Sequence, residues 1–158
     1  MKFVKETRIA ASPEAVFAFH EAPGALKQLI PPWEKVEIES GGESMQVGSR
    51  VVLKTHLGPF PLRWVAEHIE YNPPRGFADR QVSGPFALWV HHHSFLDDGA
   101  GGTILHDEVD YEVPFGPLGR MFGGGFIRRK LQRMFEFRHA KTREILEGAS
   151  SLATGTHT

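Results

Sequence analysis

From residue 35 to residue 113 the chain reads with a period of two, and each interruption is a short cluster of Gly, Pro, Asn or Asp. The runs are Lys35 to Glu39, Ser49 to Leu57, Leu62 to Tyr71, Phe77 to Val82, Ala87 to Leu96 and Thr103 to Val113. The breaks are Gly41-Gly42, Gly58-Pro59, Asn72-Pro73-Pro74, Gly84-Pro85 and Asp97 to Gly102. Alternation of this kind predicts strands. Connections this short cannot hold the crossover helix that a parallel neighbour requires, so the sheet has to be antiparallel.

Helical signals flank this block. Phe3 to Ala11 reads as a first strand, and Ser12-Pro13-Glu14 then opens a helix with a side-chain cap, a proline in the first turn and an acid at the positive helix end. That helix carries Val16, Phe17 and Phe19 and stops near Pro23-Gly24; a second, Ala25 to Ile30, is closed by Pro31-Pro32. From Phe126 the period returns to 3.6, with Ile127, Leu131, Met134, Phe135, Thr142, Ile145 and Leu146 on one stripe of a helix running to about Glu147. Gly123-Gly124-Gly125 reads as a loop before it. The alternative is a hinge for a lid made of Phe115, Leu118, Met121, Phe122 and Phe126. Residues 148–158 lack an apolar period and are expected to be a disordered tail, leaving 1–147 as a single domain. An apolar helix stripe needs an apolar sheet face to cover it. The expectation is therefore a two-layer α+β domain of about seven strands, with the last helix across one face.

Composition narrows the function classes. A chain of 158 residues is long enough to bury roughly 68–70% of its unfolded surface, so it needs no staples. Cysteine is absent, which excludes disulfides, thiolate zinc sites and a cysteine nucleophile. The formal charge is −1, and this points to no nucleic-acid partner. It hides a division: residues 120–158 hold eight Lys or Arg against three Glu, a balance of +5, which leaves −6 for residues 1–119. The two halves are expected to attract each other. The N-terminus carries charges where a signal peptide needs an apolar stretch, and no run approaches the ~18 apolar residues of a membrane span. A cytoplasmic protein without stable membrane insertion is expected, with homodimerisation left open.

Several strings, taken with this order of elements, resemble the START-related superfamily called SRPBCC, which shares a helix-grip fold with the major birch pollen allergen, lipid-transfer domains and polyketide aromatase/cyclases. They are Ala11-Ser12-Pro13-Glu14-Ala15-Val16-Phe17, Leu29 to Glu34, Leu62 to Glu67, Phe77-Ala78-Asp79, Gly84-Pro85-Phe86, Trp89 to Phe95, Asp107 to Tyr111 and Phe135 to His139. They are similar to a bacterial subgroup labelled ligand-binding or cyclase/dehydrase-like. In some relatives such a domain precedes a nucleotide-sugar epimerase-like domain; a single domain is expected here. The resemblance implies a curved sheet gripping the last helix around a cavity for a hydrophobic or aromatic-ringed ligand. It implies much less about chemistry, because one fold hosts many functions.

Strand periodicity gives that cavity a candidate lining. Trp89, His91, His93 and Phe95 share one face of their strand, and Leu105, Asp107, Val109 and Tyr111 share one face of the next. A five-residue loop, Asp98 to Gly102, pairs residues whose numbers sum to 200, setting His93 opposite Asp107, His91 opposite Val109 and Trp89 opposite Tyr111. If Gly84-Pro85-Phe86 is a three-residue loop, Asp79 faces His91 and Gln81 lies beside Trp89. A two-residue loop sends Asp79 outward. Trp64 joins the wall, Phe135 faces it from the last helix, and Arg138 falls on the same helix stripe, where an unpaired guanidinium is expensive to bury.

The bland interpretation makes the His–Asp contacts satisfied polar pairs in a wall and leaves the Arg138 head in water. The functional one makes Trp64, Asp79, Gln81, Trp89, His91, His93, Phe95, Asp107, Tyr111, Phe135 and Arg138 the site of a hydrophobic small molecule, bound without catalysis or cofactor. One alternative is a cyclase or dehydratase using His93 and Asp107 as an acid/base pair, although no nucleophile or oxyanion-hole motif accompanies them. Another is a metal site through His91 and His93, with a third ligand from Asp107, Asp79 or His68. A cupin-like pattern would want a Glu soon after the second His, and none is there. His92 points away from its neighbours. Trp33, after Pro31-Pro32, is expected to pack under a loop.

Overall fold

The computed structural model describes residues 1–57 and 59–154. Gly58, half of the expected Gly58-Pro59 turn, and residues 155–158 of the expected tail lie outside the described residues. The elements are β1 (Lys2–Ile9), α1 (Pro13–Glu21), α2 (Ala25–Gln28), β2 (Glu37–Gly41), β3 (Arg50–Leu57), β4 (Phe60–Asn72), β5 (Gly76–Ser83), β6 (Leu88–Asp97), β7 (Thr103–Glu112) and α3 (Gly116–Thr154). One seven-stranded antiparallel sheet runs in the order β1-β7-β6-β5-β4-β3-β2. Consecutive strands from β2 to β7 are therefore neighbours, as their short connections require. The first and second strands lie at opposite edges, and α1 and α2 carry the chain between them. Ser12 caps α1 as its sequence suggests, its Oγ accepting from the Ala15 amide at 3.2 Å.

The β6–β7 register is the one expected from the loop length, with Phe95↔Leu105, His93↔Asp107, His91↔Val109 and Trp89↔Tyr111. Between β5 and β6, Asp79 pairs with His91, so its side chain shares the inner face. The pairing with β6 stops at Arg80↔Val90, while Gln81 stays paired with Ala66 of β4. Gln81 turns its amide onto the connection, donating to the Phe86 carbonyl at 2.8 Å and accepting from the Phe86 amide at 3.3 Å.

Two apolar clusters fill the space under the sheet. Phe3, Trp89, Val109, Tyr111 and Val113 pack on Leu131 and Phe135 of α3. Ile9, Met45, Phe77, Phe95 and Leu105 pack around Val16 and Phe17 of α1. Along β6 these clusters claim Trp89 and Phe95, which leaves His91 and His93 at the seam between them.

Helix α3 is longer than its periodicity suggests at both ends. It begins at Gly116, with Pro117 in the first turn where its missing N–H costs nothing. It passes through Gly123-Gly124-Gly125 without a break, so the expected loop there is corrected to continuous helix. Extending an existing helix adds one hydrogen bond per residue fixed, which carries it across three weak positions. At the other end it continues past Glu147 to Thr154, into the first part of the expected tail. The charge division also resolves differently from expectation. Among the described residues, the ion pair from α3 to the acidic body is Lys130–Glu34 at 3.4 Å. Arg128 and Arg143 donate instead to the backbone carbonyls of Lys2 and Arg8, while Lys141 pairs within the helix to Glu144.

Candidate functional site

Asp107, on β7, is buried on the inner face, and an isolated carboxylate there would be costly. Three imidazoles satisfy it. His91 Nε2 donates to Oδ1 at 2.9 Å and His139 Nε2, from α3, to Oδ2 at 2.7 Å, while His93 Nδ1 forms an ion pair with Oδ1 at 2.8 Å. A carboxylate can only accept, so these contacts fix which ring nitrogen carries hydrogen in each histidine. The other ring nitrogens of His91 and His93 turn toward Asp79 on β5. His93 Nε2 lies 3.4 Å, and His91 Nδ1 3.9 Å, from Asp79 Oδ2. The two rings stand 3.7 Å apart, with Phe77 stacked on the far side of His93 at 4.0 Å.

This group forms part of the wall of a cavity of about 600 Å³ between the sheet and α3. Trp64, Phe86 and Trp89 make an aromatic wall, with Trp64 edge-on to Trp89 at 5.0 Å. Leu26, Leu29 and Ile30 from the α2 region, Val51 and Leu53 from β3, and Phe122, Phe126 and Met134 from α3 enclose the rest. Arg138 also lines it, with its guanidinium carbon 5.6 Å over the Phe135 ring and a buried Nε that has no hydrogen-bond partner. Phe115, Phe122 and Phe126 reach the cavity while remaining largely exposed.

Of the eleven residues expected at the site, Trp64, Asp79, Trp89, His91, His93 and Arg138 line the cavity. Five do not. Phe95, Tyr111 and Phe135 are spent on the two apolar clusters, Asp107 sits behind the histidines that shield it, and Gln81 holds the β5–β6 connection. Two further histidines belong to the arrangement. His139 follows Phe135 by four residues, and His20 follows Val16 by four, so each continues a buried helix stripe. That spacing was readable; around His139 the density of charges hid it, and in α1 the short length of the helix did. His92 faces the other way, half-exposed and 3.9 Å from Glu70. Trp33 is 46% exposed and packs on Phe137 and under Arg133 rather than beneath a loop.

Electrostatics divides these groups into roles. Burial opposes a charge on His93, but the Asp107 and Asp79 carboxylates outweigh it and raise its pKa to about 9. Burial and the neighbouring His93 charge hold His91 below its ordinary value. For Asp107, burial is overcome by the His93 charge and by hydrogen bonds from His139, His91 and His93, which hold it well below the usual carboxylate range. Asp79 is lowered too, burial again being outweighed by His93, His91 and His68. Burial pushes His20 down to about 4 and lowers His68 and Arg138. At neutral pH the wall thus presents one imidazolium between two carboxylates beside a neutral imidazole.

Sheet, long helix and enclosed cavity define a helix-grip protein. Residues 9–137 match the family described as polyketide cyclase / dehydrase and lipid transport, and the chain belongs to that family. No curated protein matches it in sequence. Solved structures share the fold at low identity. A START superfamily protein from Mycobacterium smegmatis is 16% identical with a TM-score of 0.69, over 94% of this chain and 98% of the other. Norcoclaurine synthase from Thalictrum flavum, in complex with dopamine and hydroxybenzaldehyde, is 18% identical with a TM-score of 0.68, over 93% and 87%. The nucleoside-diphosphate sugar epimerase from Corynebacterium glutamicum is 24% identical with a TM-score of 0.72, over 96% of this chain but 30% of that one. Among the described residues no helix is long and apolar enough to cross a membrane.

Proposed function

We propose that this chain is a cytoplasmic binder of a hydrophobic or aromatic-ringed small molecule, lipid- or polyketide-like, held between the sheet and α3. The cavity carries this reading: about 600 Å³ lies within the roughly 300–1,000 Å³ of small-molecule sites, and its lining is largely apolar, with the Asp79, His91 and His93 group and Arg138 among its polar side chains. Trp64 and Trp89 supply apolar contact, while Asp79, His91, His93 and Arg138 orient the polar end of the ligand. Arg138 brings a buried donor without a partner, which a ligand carbonyl or carboxylate would satisfy. Native mass spectrometry of gently purified protein, followed by extraction, tests the proposal. A bound apolar molecule of stoichiometric amount is expected. Protein that carries none, and that also fails to bind an apolar fluorescent probe competed by lipid extract, overturns it.

A second reading rests on the His91 and His93 nitrogens that face the cavity while Asp107 holds the opposite nitrogens. A cyclase or dehydratase could use such rings as acid and base, with Asp107 as their orienting partner. It predicts that His93→Ala abolishes turnover of the extracted molecule while its affinity stays within about tenfold, roughly 1.4 kcal/mol. Parallel loss of binding and turnover would assign His93 to binding alone.

A further inference from the structure

One ligand-capable atom each from Asp79, His91 and His93 lies within 4.8 Å of the other two. The converging atoms are Asp79 Oδ2, His91 Nδ1 and His93 Nε2, at 3.9 and 3.4 Å from the carboxylate oxygen to the two nitrogens. A tetrahedral shell with metal–ligand bonds of about 2.0–2.2 Å separates its ligands by roughly 3.4 Å; the Asp79–His93 pair at 3.4 Å already has that spacing, the Asp79–His91 pair at 3.9 Å has to close by about half an ångström, and the His91–His93 pair, within 4.8 Å, closes by rotation of the rings. The opposite nitrogen of each histidine is held by Asp107. Metal-binding histidines are commonly oriented in this way, by a carboxylate that takes the other N–H. His68, the β4 residue paired with Asp79, also lines the cavity and has a buried Nδ1 without a hydrogen-bond partner. We propose that Asp79, His91 and His93 form a site for a divalent transition metal of the zinc or ferrous type, with Asp107 orienting both imidazoles and an open coordination position facing the cavity.

The donor set decides the metal class. Two imidazoles and one carboxylate, without thiolate, suit zinc, iron(II) or cobalt(II) over calcium or magnesium, which prefer all-oxygen shells. Asp79 and Asp107 both face the same two rings, so a metal cation would take the place of the proton that His93 holds between them. The site shares Asp79, His91 and His93 with the binding reading, in which a bound metal would meet the polar end of the ligand, and it competes with the acid/base reading, because a metal would occupy the nitrogens that reading uses.

The test uses full-length protein stripped with chelator, then dialysed against Zn2+ or Co2+ alone. One equivalent of metal is expected, and Co2+ should give the intense visible absorption of a four- or five-coordinate site, bleached by Zn2+. Asp79→Asn and His93→Gln should each weaken binding at least tenfold, whereas His92→Ala, on the opposite face, should leave it unchanged. Imidazole nitrogen resonances of the wild-type protein give a reading that needs no variant: Zn2+ should shift His91 Nδ1 and His93 Nε2. Substoichiometric binding overturns the proposal. So does binding that survives both Asp79→Asn and His93→Gln, binding that His92→Ala removes, or Zn2+ that leaves the His91 and His93 resonances in place.

Discussion

Asp107 gathers His91, His93 and His139 from two strands and a helix onto two oxygen atoms. Removing it leaves three buried rings without their acceptor, so Asp107→Ala should destabilise the protein by about 3–5 kcal/mol, the cost of breaking a buried charged network by one partner; urea unfolding measures this. His20 makes a prediction with a sign. Its folded pKa of about 4 lies below the ordinary value near 6.5, so between these values the unfolded chain binds the extra proton. Stability from this group is complete above about pH 6.5 and is lost as pH falls toward 4, by roughly 3 kcal/mol in all. Denaturation midpoints measured from pH 7 down to 4 should fall, and His20→Leu should make that fall shallower. The His93–Asp107 pairing was legible because a five-residue loop sets the register of β6 on β7. Gln81 was not, because the β5–β6 pairing ends one residue before it and its amide binds the Phe86 backbone in the connection, which no alternation pattern records.

At the level of elements the glycines of α3 divide into two kinds. A Cβ at Gly123 or Gly125 would meet nothing within 4 Å, whereas at Gly119 it would lie 1.9 Å from the Pro114 carbonyl oxygen. Gly123→Ala and Gly125→Ala should therefore each stabilise the helix by up to ~1 kcal/mol and slow amide exchange in the surrounding turn. Gly119→Ala should lower the melting temperature, because backbone must move to admit it. Gly76 is constrained in the same way at the sheet, where a Cβ would come within 2.0 Å of the His93 carbonyl oxygen. Strand existence and order were readable from alternation and turn residues throughout. The start of α3 was not, since glycine runs signal loops wherever no established helix is extended through them.

For the whole molecule, the division into an acidic body and a basic helical end does not translate into a clamp. With one described ion pair from α3 to the acidic body, at a partly exposed position, the melting temperature should change little between low and high salt, as surface pairs contribute at most about 1 kcal/mol. Apolar burial holds the layers together, and the cavity is where that burial is incomplete. Ala66 stands on β4, 9% exposed and part of the cavity wall. A larger apolar side chain there grows into open volume rather than into packed neighbours. Ala66→Phe should leave the melting temperature unchanged or raised while weakening an apolar probe at least tenfold, a loss of roughly 1.4 kcal/mol. A distant binding site would show unchanged affinity instead, and a cavity already filled by side chains would show a lowered melting temperature. Fluorescence titration and thermal unfolding on the same sample distinguish these outcomes, and with them whether the space between sheet and helix is the place where this protein binds.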